Sequence, residues 1–280
     1  MTRLREQLAS GRTVWAVGVY DALSARIAEA AGFDAVMTGG MGVTASLLGM
    51  PDAELLTLTE NVGVVSRVSR ALDIPVIADI DTGYGNTANV MRAVADFKTA
   101  GAQAVILEDQ ISPKRCAACV DETHIILIDE AVAKIRAARQ AGGDAMVVIA
   151  RTDTFDPAEA VVRAKAYVGA GADLIQPVSK TFRDFAGLKG LHEQCQVPLS
   201  IQILGWLEGL SPAEIERIAG IATFSMAALM TTTAALMENL KALRNDRSYS
   251  ALPRGRTSLA EFNDFIGFDA LLEDQQKFYR

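Results

Sequence analysis

Short apolar runs alternate along the chain with longer stretches in which apolar positions recur at helical spacing. Val14–Val17, Ala35–Thr38, Ile74–Asp79, Ala104–Glu108, Ala145–Arg151, Leu174–Gln176, Leu199–Ile203 and Ala222–Ser225 read as strands. Asp21–Ala31, Ala88–Ala100, Asp129–Ala141, Pro157–Ala170 and Pro212–Ala219 read as the clearest helices. Pro157 and Pro212 stand at helix starts, where a missing N–H is tolerated. One phrase recurs: Ala31-Gly32-Phe33-Asp34-Ala35, Ala100-Gly101-Ala102-Gln103-Ala104, Ala141-Gly142-Gly143-Asp144-Ala145 and Ala170-Gly171-Ala172-Asp173-Leu174. Each copy follows a helical pattern and precedes an apolar run. A glycine just past a helix end takes the left-handed conformation that closes the helix.

Alternating strands and helices imply a parallel sheet. About eight such units in 280 residues predict an α/β protein with a closed (β/α)8 barrel of the TIM type. The alternative is an open doubly wound sheet, but no G-x-G-x-x-G stands at a strand-to-helix turn to favour it. No linker divides the chain. The expected organisation is a barrel over 1–243 and a C-terminal helical extension over 244–280 of the same domain. Leu259, Phe262, Phe265, Phe268, Leu271 and Leu272 give that extension an apolar side that needs covering, as by another subunit.

Half the residues are hydrophobic and the mean hydropathy is +0.20, enough for a large core. A net charge of −7 and a pI of about 5.0 argue against nucleic acid or an anionic membrane as partner. Met1–Gln7 lacks the apolar core of a signal peptide, and no uninterrupted apolar stretch has membrane-spanning length. Cysteines at 116, 119 and 195 make no disulfide framework, so a cytoplasmic location is expected.

The richest chemistry lies in Pro75-Val76-Ile77-Ala78-Asp79-Ile80-Asp81-Thr82-Gly83-Tyr84-Gly85. Strand alternation would send Asp79 and Asp81 off one face. Two carboxylates so close repel, and a divalent cation with a preference for oxygen, Mg2+ or Mn2+, relieves the conflict. The alternative is a solvated loop. Barrel active sites lie at the C-terminal strand ends. There the sequence places Tyr20-Asp21, Thr38-Gly39-Gly40, Asp79 with Asp81, Glu108-Asp109, and Arg151-Thr152-Asp153. A metal with a small anionic carboxylate substrate fits such a mouth. Backbone N–H groups of Thr38-Gly39-Gly40 can meet one carboxylate. Arg151 can pair another, or it can be a structural ion pair with Asp153 or Glu108.

The long stretch after Glu108 can close over the site. It carries Lys114, Arg115, Cys116 and Cys119. Lys and Arg beside Cys116 would favour a thiolate or poise a proton donor. A C-x-x-C redox or zinc site is the rival reading, with only His124 and His192 in the chain to complete it.

These pieces together resemble the isocitrate lyase/phosphoenolpyruvate mutase superfamily. The resemblance rests on Tyr20-Asp21-Ala22-Leu23-Ser24-Ala25, Thr38-Gly39-Gly40 through Leu48-Gly49-Met50-Pro51-Asp52, Asp79–Gly85, Glu108-Asp109-Gln110, Pro113-Lys114-Arg115-Cys116 and Ala150-Arg151-Thr152-Asp153. It implies a Mg2+-dependent enzyme of 2-oxo acid chemistry. Asp79 and Asp81 would hold the metal, largely through water, with Glu108 and Asp52 close by. Thr38, Gly39 and Gly40 would bind the carboxylate and enolate end. Tyr20 and Arg151 would contact substrate, and Cys116, with Lys114 beside it, would act as general acid. The family is usually a tetramer with an exchanged terminal helix, so a helix-swapped homotetramer is expected.

Departures from the pattern point to a 2-methylisocitrate lyase-like protein with an altered distal substrate site. Ala117 and Ala118 replace the Gly-His that lyases carry after the cysteine. Ile106, Val178 and Gln202 stand where His, Glu and Asn are common. The expected activity is carbon–carbon cleavage or decarboxylation of a small 2-hydroxy or 2-oxo (di)carboxylate. Carbon–phosphorus chemistry, as in phosphonopyruvate hydrolase or the mutases, is the alternative, suggested by Ser179-Lys180. A non-catalytic barrel is the third reading, and the full set of Asp79, Asp81, Glu108 and Arg151 argues against it.

Overall fold

Eight parallel strands pair in chain order and close into a barrel: Val14–Val19 (β1), Ala35–Thr38 (β2), Val76–Asp79 (β3), Ala104–Glu108 (β4), Val147–Thr152 (β5), Leu174–Pro177 (β6), Leu199–Gln202 (β7) and Ala219–Phe224 (β8). The seam is β1 on β8, with Val14 opposite Ile221 and Trp15 opposite Ala222. The computed structural model describes residues 2–279. The helices are Arg3–Ala9 (α1), Ala22–Ala30 (α2), Gly40–Leu48 (α3), Leu58–Arg70 (α4), Thr87–Thr99 (α5), Ile128–Gly142 (α6), Pro157–Gly169 (α7), Phe185–Cys195 (α8), Pro212–Glu216 (α9), Ala227–Asp246 (α10), Leu259–Ile266 (α11) and Phe268–Lys277 (α12).

The expected elements are present with shifted ends. The expected strand from Ala145 starts at Val147, because Gly143–Ala145 forms a 3-10 turn. The helix expected to reach Ala219 stops at Glu216, because β8 begins at Ala219. The left-handed glycine follows each helix at Gly32, Gly101 and Gly171; in the third copy the role falls to Gly143, one residue late. Short side chains start most helices. Asp21 accepts from Ser24 N–H, and Thr57 with Glu60 and Ser211 with Glu214 form reciprocal caps.

Strand alternation produces two cores. Val14, Ala16, Ala35, Met37, Ile77, Ala104, Ile106, Val147, Ile149, Leu174 and Ile221 fill the barrel, with Leu4 of α1 added. The alternate residues, such as Val105, Leu107, Val148 and Ala150, pack outward against the helices. The chain forms two compact units, Met1–Leu229 and Met230–Arg280, dividing within α10. In the second unit no residue of α11 or α12 is buried. No helix among the described residues is long and apolar enough to cross a membrane.

Candidate active site

The inward rows of β3, β4, β5 and β6 end in polar side chains. Ile77 on β3 is followed two residues later by Asp79, Ile106 on β4 by Glu108, Ile149 on β5 by Arg151 and Leu174 on β6 by Gln176. Asp81 reaches the site differently from the expectation of a shared strand face. β3 ends at Asp79, and Asp81 lies beyond it with a left-handed backbone, φ 50°. Its N–H donates to Asp79 Oδ1 at 3.0 Å. A tight turn, not the pleat, delivers the second carboxylate.

Lys114 Nζ sits among the acids. It lies 2.6 Å from Asp81 Oδ1, 3.3 Å from Asp52 Oδ1 and 3.8 Å from Glu108 Oε2. Burial opposes the ammonium charge, but Glu108, Asp81, Asp79 and Asp52 together hold Lys114 well above the ordinary lysine value. Arg151 donates through Nε to Asp153 Oδ1 (2.6 Å) and through Nη2 to Asp153 Oδ2 (2.8 Å). Its Nη1 lies 3.0 Å from Glu108 Oε2. Arg151 is therefore ion-paired with both Asp153 and Glu108. Burial raises the Glu108 carboxyl well above its usual range, against the pull of Arg151 and Lys114. Burial likewise lifts Asp81 to about 6, with Asp79 adding to the rise and Lys114 opposing it.

Asp52, Asp79, Asp81, Glu108 and Asp153 thus face two cations, Lys114 and Arg151. Glu108 Oε1 is buried without a hydrogen-bond partner. An excess of buried oxygen donors with an unsatisfied atom suits a hard divalent cation. Among the described residues, however, no group of three or more His, Cys, Asp or Glu side chains is arranged to hold a metal directly. By its chemistry the donor set suits a divalent cation, and Lys114 occupies part of the same acidic space.

A cavity of about 90 Å³ opens beside this cluster. Tyr20, Gly39, Gly40, Asp52, Asp79, Cys116, Arg151 and Gln202 line it. Thr38, Asp81, Glu108 and Lys114 do not; Thr38 Oγ1 turns to the Ile77 carbonyl at 3.4 Å. Gly39 caps α3 and Gly40 begins it, so the helix N-terminus faces the cavity. A Cβ on Gly40 would come within 3.1 Å of Asp52 Oδ1 and 3.2 Å of Lys114 Nζ, so a side chain there would press on both groups by a few tenths of an ångström. The outer wall is largely apolar: Met37, Met41, Ala117, Ala118, Val178, Met226 and Leu229. Ile106 does not reach the cavity and belongs to the barrel interior.

The cysteine differs from one expectation. Neighbouring cations do not bring the Cys116 thiol down, and the Lys114 ammonium is committed to the acids. Burial, the hydrogen bond to Cys119 and the nearby Asp52 charge push the Cys116 thiol up to about 11. Cys119 Sγ lies 2.9 Å away, in a turn closed by Cys119 N–H on the Cys116 carbonyl at 2.8 Å. His124 turns instead to Glu122, 3.8 Å away.

Sequence reasoning missed several supports. Asn61 Nδ2 donates to the Asp79 carbonyl (2.9 Å) and to Tyr84 Oη (2.8 Å). Gln110 accepts from Arg115 N–H (2.9 Å) and donates to its carbonyl (2.8 Å), steadying the cysteine loop. Glu54 holds that loop from the other side. Asp109, expected at the mouth with Glu108, instead turns away from the cavity and accepts from Thr152, Tyr167, Arg163 and the Asp153 N–H. Of these, Gln110 carried a signal, its place directly after Glu108-Asp109; Asn61 and Glu54 lie on helix and loop positions with no pattern to mark them.

The profile of the phosphoenolpyruvate phosphomutase family matches residues 4–244. The chain is 36% identical to 2,3-dimethylmalate lyase of Eubacterium barkeri, covering 99% of this chain and 97% of that one. It is also 36% identical to oxaloacetate decarboxylase of Pseudomonas paraeruginosa, covering 92% and 91%. A crystal structure of phosphonopyruvate hydrolase with oxalate and Mg++ superposes with a TM-score of 0.89 at 29% identity, covering 99% and 98%.

Proposed function

Because the chain belongs to the isocitrate lyase/phosphoenolpyruvate mutase superfamily and is a lyase of it, we propose that it is a cytoplasmic, Mg2+-dependent enzyme that breaks a carbon–carbon bond in a small 2-hydroxy or 2-oxo (di)carboxylate. The observation that carries this reading is the place of Cys116 in the wall of a cavity that also presents Arg151, Asp79 and the α3 N-terminus; burial pushes its thiol up to about 11, toward the proton-carrying form. The α3 N-terminus at Gly39 and Gly40 takes the substrate carboxylate, the Gly40 N–H turning to it from Asp79 Oδ2, 3.5 Å away. Arg151, fixed by Asp153, presents positive charge to the oxygens on which electrons collect. When the bond breaks, its electron pair stays on one carbon as an enolate; the other fragment leaves as carbon dioxide from a 2-oxo acid, or as a 2-oxo acid from a 2-hydroxy acid whose hydroxyl proton passes to solvent. Cys116 Sγ delivers a proton to that carbon, and solvent reprotonates the thiolate. Asp79 and Asp81 would hold the metal through water, with Glu108 and Asp52 near; bound there, it would polarise the 2-oxo carbonyl and stabilise the enolate. The phosphonopyruvate hydrolase structure, solved with Mg++ and oxalate, supports the cofactor.

The cavity wall favours carbon over phosphorus chemistry. A phosphonate brings about two negative charges, while Arg151 is the one cationic side chain of the wall among the described residues. Lys180, adjacent to the wall residue Ser179, turns away to the Val120 carbonyl and the Phe155 ring. Ala118 and Val178 favour a smaller or more apolar acid than isocitrate or methylisocitrate. A buried polar group meeting only apolar atoms costs roughly 1–3 kcal/mol. The named relatives, a dimethylmalate lyase and an oxaloacetate decarboxylase, agree with such an acid. We further propose a homotetramer in which the C-terminal helices exchange between neighbours.

The test is a substrate panel, with Mg2+ and after EDTA, followed by release of the 2-oxo acid product. Oxaloacetate and alkylated malates are expected to turn over, with metal only. Methylisocitrate or phosphonopyruvate as the best substrate by kcat/KM would overturn the assignment, and undiminished activity after exhaustive chelation would overturn the metal.

A further inference from the structure

Three loops at the barrel mouth meet at one carboxylate that plays no part in the chemistry above. Glu54 lies in the connection between α3 and α4. Its Oε1 accepts from Thr82 Oγ1 at 2.5 Å and its Oε2 from the Lys114 N–H at 2.8 Å. Thr82 follows Asp81 in the turn after β3, and Lys114 stands two residues before Cys116 in the loop after β4. The same connection grips Lys114 twice, since Asp52 reaches its ammonium at 3.3 Å.

The backbone of Glu54 is left-handed, φ 56°. A residue with a Cβ holds that conformation at a cost and only where its surroundings secure it. The two hydrogen bonds are what secure it here. We propose that Glu54 is a latch, a positioning residue that holds the cysteine loop shut so that Cys116 faces the cavity. Gln110 pins Arg115 at the loop's own root. Release of the loop has to break the Glu54 bond as well as the pairs of the Lys114 ammonium, so Glu54 adds to the hold that Asp81 and Asp52 exert on the same residue. The proposal rests on the reading of Cys116 as proton donor for its catalytic consequence, but not for the latch itself.

The experiment compares Glu54→Gly and Glu54→Gln in a Cys119→Ser background. Cys116 alkylation by iodoacetamide is followed by mass spectrometry, with thermal melting and steady-state kinetics alongside. Glycine suits φ 56° while removing both bonds. Loss of two hydrogen bonds corresponds to roughly tenfold or more in the open fraction. Glu54→Gly is expected to alkylate Cys116 about tenfold faster at nearly unchanged Tm, and to lose kcat more than it raises KM. Glu54→Gln is expected to fall between, because its amide still accepts from Lys114 N–H and can donate to Thr82 Oγ1. Equal alkylation in Glu54→Gly and its parent overturns the latch. Faster alkylation with unchanged turnover keeps the latch and overturns the proton-donor role of Cys116. Should Glu54→Gly fold poorly, Thr82→Val removes one bond without touching the left-handed residue; faster alkylation there supports the latch and an unchanged rate overturns it.

Discussion

The half-buried Cys116 thiol holds its proton to about pH 11 because burial and Cys119 both penalise the thiolate. For a general acid the protonated form is the working one. That form is complete below the ordinary thiol range and is lost as pH rises through about 11. The alkaline limb of kcat/KM assigned to this group is therefore expected near 11; a limb at about 8.5, the value of a free thiol, would place Cys116 in solvent. Cys116→Ser is expected to depress kcat strongly with little change in KM, since a proton donor acts in the transition state. Asp79→Ala tests the acid cluster. It removes one carboxylate from a group in which negative charge exceeds positive, so the melting temperature should hold or rise. Turnover is expected to fall by about 10²-fold or more, as for other electrostatic stabilisers. Unfolding of Asp79→Ala while Asp81→Ala stays folded would mark Asp79 as structural.

At the scale of elements, the rear of the site is tied by Asp109. It joins the end of β4 to β5 through Thr152 (2.8 Å) and the Asp153 N–H (2.9 Å), and to α7 through Tyr167 (2.6 Å) and Arg163 (3.2 Å). Asp153 in turn orients Arg151. Removing one hydroxyl from this network leaves the carboxylate satisfied, so Tyr167→Phe is expected to cost about 1 kcal/mol. Asp109→Ala removes the acceptor of Thr152, Tyr167, Arg163 and the Asp153 N–H at once, while Arg163 keeps Glu159 at 2.8 Å, and is expected to cost about 3 kcal/mol. Urea midpoints at constant m-value decide the point; equal losses in the two variants would show that Asp109 is not the centre of the network.

At the scale of the whole molecule, the C-terminal helices carry large exposed apolar side chains. Leu259 is 74% exposed and Leu271 54%, and Phe262, Phe268 and Leu272 are also exposed. Such a face is expected to be shared between copies. Light scattering is expected to give a tetramer, and deletion of α11 and α12 to give a smaller species. A stable full-length monomer at working concentration would refute the assembly.

The barrel and its strand ends were legible in the sequence because they depend on local periodicity. Apolar runs, glycine stops and capped helices each follow from neighbours a few residues apart. Alternation along β3, β4 and β5 then obliges Asp79, Glu108 and Arg151 to follow the inward row into the mouth. Only the tertiary structure decided the rest. Asp81 arrives by a left-handed turn that no strand pattern announces. Cys116 keeps its proton because the fold buries it against Cys119, while the Lys114 ammonium two residues before it is drawn 2.6 Å from Asp81, a partner thirty-three positions earlier. Arg151 pairs with Asp153 and Glu108 at once because two adjacent strands bring them into register. Glu54, an ordinary loop acid by its local sequence, gains its contacts only when three loops converge. Burial and long-range pairing set the charge state and aim of a side chain, and neither is a property of the residues next to it in the chain.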